Sequence, residues 1–294
     1  MKAGFVPALG TPFDANGKFI AESYKKQIED QINAGAAGIL SMGSMGIQAF
    51  LKADVFPKVA EAAVEAAAGR VPVFVGAMDN SIARAKDRMA AMEHLDIAGF
   101  VFTTPYYHPC TRAQMMNYFK GVAAATKHKV LLYDLAVVTQ SKITYDMVLE
   151  LIRDVPNLAG IKSADTVMFR KLKLNPDVPK DFIMVYSGLD NFDVTYKWGI
   201  DACLDGMLSC TPYNTSKLFE SMANNDYVAA AEYLDKIVNL RDFFVGHDLW
   251  PSFSAAMNLL GYEGNFCPDY VVPINPDYIP LIREEMVKMG EPVV

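Results

Sequence analysis

The strongest constraint on this chain is an alternation of short apolar runs with longer amphipathic segments, which continues to about residue 211. Short runs rich in Val, Ile, Leu and Phe indicate buried strands, and the segments of helical periodicity between them indicate helices. Eight strands are predicted, at Phe5–Leu9, Gly38–Met42, Val71–Ala77, Gly99–Thr103, Val130–Asp134, Leu158–Lys162, Phe182–Ser187 and Ala202–Leu208. Helices are predicted between them, at Ala21–Ala34, Lys52–Ala68, Ser81–Leu95, Thr111–Thr126, Thr144–Val155, Val167–Leu174 and Asn191–Trp198.

This alternation favours a parallel sheet whose two faces are both covered. Eight strands are the number at which such a sheet closes into a barrel. We therefore predict an α/β fold, a (β/α)8 TIM barrel with a small C-terminal helical domain. An open doubly wound sheet is the alternative, but it calls for a glycine-rich turn after the first strand. The turn here reads Gly10-Thr11-Pro12-Phe13, which argues against that alternative.

The alternation stops after Thr211, and only helical segments follow. They are predicted at Ser216–Ala223, Tyr227–Val245, Leu249–Leu260 and Asp277–Met289, with an extended proline-rich connector at Cys267–Pro276 before the last. We assign residues 1–223 to a catalytic barrel and residues 224–294 to a C-terminal helical domain.

Composition narrows the classes of partner. The net charge of -7 argues against nucleic acid and anionic membranes as partners. The N-terminus reaches Pro7 before a signal-peptide core could form, and no apolar run is long enough to span a bilayer. The four cysteines form no CxxC and no ligand-like group with the four histidines. We expect reduced thiols, a cytoplasmic location and no metal site.

Lys162 is the first candidate for chemistry, because it lies in the short apolar segment Leu158–Ala164. An ammonium is costly to bury, and burial favours the neutral amine of a lysine. A neutral amine in a pocket is what a Schiff-base enzyme needs. Alternatively, Lys162 follows the strand and extends into solvent. The segment alone does not decide between the two.

Further polar residues fall at strand ends, where a barrel places its chemistry. Tyr133 lies near the end of the fifth predicted strand, next to the strand that carries Lys162. The turn Gly43-Ser44-Met45-Gly46 can present backbone N–H groups to a small carboxylate. Each feature also has a structural explanation: an ordinary turn, a core tyrosine, a helix cap at Asp134 and a surface histidine at His108. Only their coincidence at successive strand ends favours a site.

The motifs resemble those of the dihydrodipicolinate synthase and N-acetylneuraminate lyase family, the class I pyruvate-dependent aldolases. The resemblance extends from Val6 to about Pro276. Its carriers, in this order, are Gly43-Ser44-Met45-Gly46, Thr104-Pro105-Tyr106-Tyr107, Leu132-Tyr133-Asp134, Gly160-Ile161-Lys162, Ser187-Gly188-Leu189-Asp190 and Gly206-Met207-Leu208-Ser209.

The resemblance implies roles for individual residues. Lys162 matches the Schiff-base lysine, Tyr133 the catalytic tyrosine and Ser44 the hydroxyl of the proton relay. Tyr107 matches a tyrosine that reaches into the neighbouring subunit's site, and the backbone at Ser44 and Met45 would hold the pyruvyl carboxylate. Positions that would line the substrate pocket are Gly188, Asp190, Asn191, Leu208 and Ser209. The family implies a homotetramer built as a dimer of dimers. Because the lysine carries the chemistry, no metal or organic cofactor is expected.

Three departures from the family pattern bear on the substrate. Met45 replaces a second hydroxyl, Ile47 replaces a glutamate, and Val138 stands where the synthases use an arginine for the second substrate's carboxylate. We therefore predict a lyase that acts on a 2-keto acid, favouring a 2-keto-3-deoxy sugar acid as in N-acetylneuraminate lyase. The alternatives are dihydrodipicolinate synthase, with pyruvate and aspartate semialdehyde, a dehydratase or deaminase that uses the same imine, and a non-catalytic barrel that binds a keto acid.

Overall fold

Eight parallel strands form one sheet in the structure, a computed structural model that describes residues 2–294. The order across the sheet is β1-β8-β7-β6-β5-β4-β3-β2. The strands span Gly4–Pro7 (β1), Ile39–Ser41 (β2), Val73–Gly76 (β3), Gly99–Thr103 (β4), Val130–Tyr133 (β5), Leu158–Ser163 (β6), Ile183–Tyr186 (β7) and Ala202–Asp205 (β8). All eight predicted strands are therefore present.

The first and last strands of this order meet, so the sheet closes almost completely into a barrel. Ala8 and Leu40 form a parallel bridge beyond β1, and the Leu9 N–H donates to the Leu40 carbonyl at 3.0 Å. The Ala37 N–H donates to the Phe5 carbonyl at 2.9 Å. The predicted (β/α)8 barrel is confirmed, and the open doubly wound sheet is excluded.

Helices connect successive strands and cover the outside of the barrel. They span Ala21–Asn33 (α1), Phe56–Ala67 (α2), Ile82–Met92 (α3), Arg112–Ala123 (α4), Ala136–Thr139 (α5), Tyr145–Asp154 (α6), Thr166–Leu174 (α7), Phe192–Lys197 (α8), Met207–Cys210 (α9), Pro212–Ala223 (α10), Tyr227–Gly246 (α11), Leu249–Leu259 (α12) and Tyr278–Met289 (α13). Each predicted helix has a counterpart, and α10 begins earlier because Pro212 suits a first helical position. The short helices α5 and α9 were not predicted.

The end of the eighth strand differs from the prediction. A strand to Leu208 was expected, but β8 ends at Asp205 and the chain turns into α9. The Asp205 side chain accepts a hydrogen bond from the Met207 N–H at 2.9 Å. An aspartate that bonds to the backbone two residues ahead stabilises a turn, so the apolar residues that follow form a helical turn.

The C-terminal tail packs back onto the start of α10. The Glu291 carboxylate, buried at 5% exposure, accepts hydrogen bonds from the backbone N–H groups of Tyr213 (3.1 Å) and Asn214 (2.9 Å). The Asn214 Nδ2 donates to it at 2.7 Å. The first N–H groups of a helix lack partners within the helix, so Glu291 satisfies two of them. Across residues 2–294 we find no helix long and apolar enough to cross a membrane.

Candidate active site

Lys162 lies inside the barrel wall and not in solvent. It belongs to β6, is 6% exposed, and is in register with Tyr133 of β5. Its Nζ lies 3.8 Å from the centroid of the Tyr133 ring. The alternative that Lys162 extends into solvent is therefore excluded, and amine and phenol share one pocket.

A hydroxyl from the other side of the barrel approaches this pair. Ser44 Oγ and Tyr133 Oη are 3.5 Å apart, and either can donate. This is the outer limit of a hydrogen bond, as is common for catalytic pairs without substrate. Residues of β5, β6 and the turn after β2 thus converge at the carboxyl ends of the strands, where barrel enzymes place their chemistry.

Close packing fixes the turn that carries Ser44. Met42, just before the turn, has a positive φ of 55°. The Met42 carbonyl lies against Gly76 of β3, so closely that a side chain at position 76 would collide with it. Thr11 Oγ1 donates to the Gly46 carbonyl at 2.8 Å from inside the protein. The turn is therefore held from β3 and from the loop after β1.

The same turn offers unused donors. In the part of the chain that the structure describes, the backbone N–H groups of Ser44 and Met45 donate to no acceptor. Adjacent free N–H groups in a turn favour an anion, which agrees with the predicted carboxylate position. The Met45 side chain covers Gly206 so closely that a Cβ at Gly206 would collide with it.

Asp134, the residue after Tyr133, connects the loops that follow β5 and β6. Its carboxylate accepts from Ser163 Oγ at 2.7 Å and from the Ile143 N–H at 3.1 Å, and it forms an ion pair with Lys142. Lys142 also contacts Asp165 at 3.1 Å. These contacts anchor the loops after β5 and β6, so Asp134 has a structural role.

Asp190 forms an ion pair that the sequence did not reveal. Both of its carboxylate oxygens accept from Arg241 of α11 at 2.8 Å. These hydrogen bonds lower the pKa of Asp190. The pair ties α11 to the Leu189–Asn191 turn after β7, next to Gly188. Burial raises the pKa of Tyr186, the last residue of β7.

Asp205 is a second residue that sequence reasoning missed. It ends β8, where it is partly accessible. Burial raises the pKa of its carboxyl, although the charges of Lys162 and, more weakly, Arg241 oppose this. An acidic residue inside the apolar run predicted as a strand, Ala202–Leu208, was the available signal. The predicted strand ran on to Leu208, which hid that position.

The other predicted pocket residues differ widely in exposure. Tyr107 is 80% exposed and Val138 is 57% exposed. Leu208 and Ser209 are fully buried in α9, and the Ser209 hydroxyl donates to the Ala8 carbonyl at 3.0 Å. That bond holds α9 against the end of β1. Their assignment to the pocket remains a prediction.

Among residues 2–294, no three His, Cys, Asp or Glu side chains are grouped so that they could hold a metal ion. The four cysteines are free, and burial raises the pKa of the Cys203, Cys210 and Cys267 thiols. The groups available for chemistry at this pocket are thus an amine, a phenol, a hydroxyl, backbone N–H groups and carboxylates.

Comparisons with known proteins show the family and the fold of the chain. A model of the dihydrodipicolinate synthetase family matches residues 1–284. A Rhodopseudomonas palustris protein named 4-hydroxy-tetrahydrodipicolinate synthase is 30% identical over 294 residues, 98% of this chain and 96% of its own. The structure of dihydrodipicolinate synthase from Aquifex aeolicus superposes with a TM-score of 0.88 at 22% identity and covers 99% of both chains. N-acetylneuraminate lyase of Proteus mirabilis gives a TM-score of 0.89 at 19% identity, over 98% of this chain and 99% of that one.

Proposed function

The chain belongs to the dihydrodipicolinate synthetase family, and we propose that it makes or breaks a carbon–carbon bond between pyruvate and an aldehyde through a Schiff base on Lys162. Membership of this family confirms the predicted enzyme class, a lyase of the pyruvate-dependent aldolases. One observation carries the proposal: the buried Lys162 Nζ lies 3.8 Å from the Tyr133 ring centroid, and the phenol oxygen faces Ser44 Oγ at 3.5 Å.

The groups support a balanced sequence of steps. The Lys162 nitrogen bonds to C2 of pyruvate through its lone pair, and the carbonyl oxygen leaves as water with one proton from the nitrogen and one from the pocket. The cationic imine withdraws electrons, so C3 loses a proton and becomes an enamine carbon that adds to the aldehyde. Cleavage is the reverse. Tyr133 and Ser44 move the protons, while the Ser44 and Met45 N–H groups hold the pyruvate carboxylate.

For the second substrate, the comparisons favour aspartate semialdehyde over the sugar acid that the sequence pattern favoured. The Rhodopseudomonas relative, 30% identical, carries the synthase name, whereas N-acetylneuraminate lyase is a structural neighbour at 19% identity. Condensation of pyruvate with aspartate semialdehyde is therefore our first candidate.

One observation keeps the 2-keto-3-deoxy sugar acid as second candidate. At position 138 an exposed valine offers no guanidinium for a second carboxylate. A bidentate, charge-assisted contact contributes on the order of 1.5–3 kcal/mol to binding. Without it, a carboxylate-bearing aldehyde loses affinity relative to a hydroxylated one.

Assembly and location belong to the same proposal. We infer a homotetramer, a dimer of dimers, from the family resemblance and from the exposure of Tyr107. A cytoplasmic location is supported by the four free cysteines, because reducing compartments keep thiols free.

Trapping with borohydride tests the function. Borohydride added with pyruvate should inactivate the enzyme and leave a reduced pyruvyl adduct on Lys162, located by peptide mass spectrometry. Lys162→Ala should give no adduct, and the exposed Lys58→Ala should react like the wild type. An adduct on another lysine would overturn the assignment. Parallel assays with aspartate semialdehyde and with 2-keto-3-deoxy acids then decide between the two second substrates.

A further inference from the structure

Asp134 is bonded to the end of β6 through its backbone and through its side chain. The Asp134 N–H donates to the Lys162 carbonyl at 2.9 Å, and the Asp134 carboxylate accepts from Ser163 Oγ at 2.7 Å. Asp134 directly follows Tyr133 in the chain, and Ser163 directly follows Lys162. The two hydrogen bonds therefore join β5 to β6 beside the residues that carry the phenol and the amine.

The Asp134–Ser163 hydrogen bond lies on the opposite face of the sheet from the reactive groups. Tyr133 and Lys162 are in register, and the Lys162 Nζ lies above the Tyr133 ring, so these two side chains share one face. Successive residues of a strand point to opposite faces, which puts Asp134 and Ser163 together on the other. Ser163 is fully buried and Asp134 nearly so, so little water competes for their hydrogen bond.

Neighbouring groups fix the direction and the strength of this hydrogen bond. Ser163 Oγ accepts from the Asp165 N–H at 3.0 Å, which leaves its hydrogen for Asp134. The Lys142 ammonium contacts both Asp134 and, at 3.1 Å, Asp165. Burial lowers the pKa of Lys142, but its hydrogen bonds and charge interactions with the two carboxylates raise it above its usual value. A hydroxyl that donates to an ionised carboxylate forms a stronger hydrogen bond than a neutral pair does.

We propose that Asp134 and Ser163 are positioning residues for proton transfer, because their hydrogen bond sets where the Tyr133 hydroxyl lies relative to the imine on Lys162. This rests on the proposed Schiff-base function. Among residues 2–294, the Tyr133 hydroxyl has one hydrogen bond, to Ser44 Oγ at 3.5 Å, which is the outer limit for such a bond. The position of the hydroxyl therefore depends on the strand ends that carry Tyr133 and Lys162.

The turn Gly43–Gly46, which offers N–H groups to the pyruvate carboxylate, is held by other contacts. They come from β3 and from the loop after β1. Loss of the Asp134–Ser163 hydrogen bond should therefore slow proton transfer at C3 of pyruvate and leave pyruvate binding nearly unchanged. General damage to the protein would change both.

Exchange of the C3 hydrogens of pyruvate in deuterium oxide measures this step without a second substrate. In Ser163→Ala we expect kcat for exchange to fall roughly 10-fold or more, since a misplacement of about 1 Å can cost about 100-fold. KM for pyruvate should change by less than about twofold, because an interaction used only in the transition state affects kcat. Ser254→Ala is the control and should exchange at the wild-type rate. Ser254 is a buried serine of α12 whose Oγ accepts from the Phe266 N–H at 3.1 Å.

The same substitution in a Tyr133→Phe background separates positioning from structural damage. Without the hydroxyl, its placement no longer affects the rate, so Ser163→Ala should cost less than about twofold there. An equal loss in both backgrounds, or no loss where Tyr133 is intact, would overturn the proposal. Ser163→Cys, of similar size and only a weak donor, takes the place of Ser163→Ala if the latter does not fold. If neither variant folds, the hydrogen bond serves folding and the positioning role is rejected.

Borohydride trapping separates this inference from the function on which it rests. A pyruvyl adduct on wild-type Lys162, together with equal losses in the two backgrounds, overturns the positioning role alone. Absence of the adduct overturns the Schiff-base function and this inference with it. Wild-type exchange in Tyr133→Phe would show that the hydroxyl transfers no proton, so the positioning role would be rejected while the Schiff base stands.

Discussion

At the scale of single residues, Tyr133 has two roles in the proposed chemistry. Its ring packs in the protein interior, and its hydroxyl is positioned for proton transfer. Tyr133 is 5% exposed, its ring lies under the Lys162 amine, and its hydroxyl faces Ser44. Removing only the hydroxyl separates these two roles. The ring accounts for the packing, and the oxygen accounts for the transfer of protons.

We expect Tyr133→Phe to fold normally and to lose turnover by roughly 100-fold or more, the usual contribution of a general acid–base group. The comparison is kcat for the full reaction, with folding followed by circular dichroism. Tyr118→Phe is the matched control, since its buried hydroxyl bonds to the Asp79 backbone, away from Lys162. Wild-type turnover in Tyr133→Phe would make Tyr133 a packing residue only.

Single residues differ in how far the sequence reveals them. Lys162 was visible because a lysine within an apolar run is unusual, and Tyr133 because it ends the neighbouring strand. Arg241 was not visible, because its pairing with Asp190 depends on how α11 crosses the barrel mouth. Contacts between residues so distant in sequence result from the packing of helices and strands. The local sequence pattern around each residue does not predict them.

At the scale of elements, types were predictable and ends were not. An apolar run marks a buried segment, but it does not distinguish a strand from a short helix. For that reason the predicted eighth strand continues to Leu208, inside α9, whereas β8 ends at Asp205, whose side chain stabilises a turn. The short helix α5 is a single helical turn, too brief to show a period of its own.

The contact between the tail and α10 gives a prediction about stability. Glu291→Ala would leave the backbone N–H groups of Tyr213 and Asn214 without their acceptor. The Asn214 side-chain amide would lose one of its two acceptors and keep the Met289 carbonyl. Buried donors without partners cost about 1–3 kcal/mol, so the free energy of unfolding should fall by about that amount. Urea unfolding measures it, with the exposed Glu284→Ala of α13 as control. Equal stability of both variants would show that water replaces Glu291.

At the scale of the whole molecule, the barrel was predictable because eight alternating units leave few other ways to bury every strand. The division between residues 223 and 224 remains a prediction. Glu291 of the proposed C-terminal domain binds the start of α10, which that division assigns to the barrel. The exposed residues at the mouth could not be interpreted from one chain, because their partners lie in another subunit if the enzyme assembles as proposed.

Tyr107 carries the prediction about assembly. Its ring is 80% exposed and contacts His108, with centroids 4.8 Å apart, so within one chain it does not reach Lys162. We expect Tyr107→Phe to lose turnover by roughly 10-fold or more, with an unchanged sedimentation coefficient, because the substitution keeps the ring and removes only the hydroxyl. Tyr270→Phe, an exposed tyrosine of the connector, is the control and should remain fully active.

Mixing two impaired variants shows which subunit supplies the hydroxyl. When Tyr107→Phe and Lys162→Ala chains are unfolded together and refolded, a mixed dimer has one site with an intact Lys162 and its neighbour's intact Tyr107. Random pairing in a two-fold symmetric dimer makes half of the dimers mixed, each with one complete site, so about a quarter of wild-type activity should return. If Tyr107 acts within its own chain, mixing restores nothing above the sum of the separate variants. A fully active monomer in sedimentation would equally contradict the prediction, because a neighbour's tyrosine is required only where there is a neighbour.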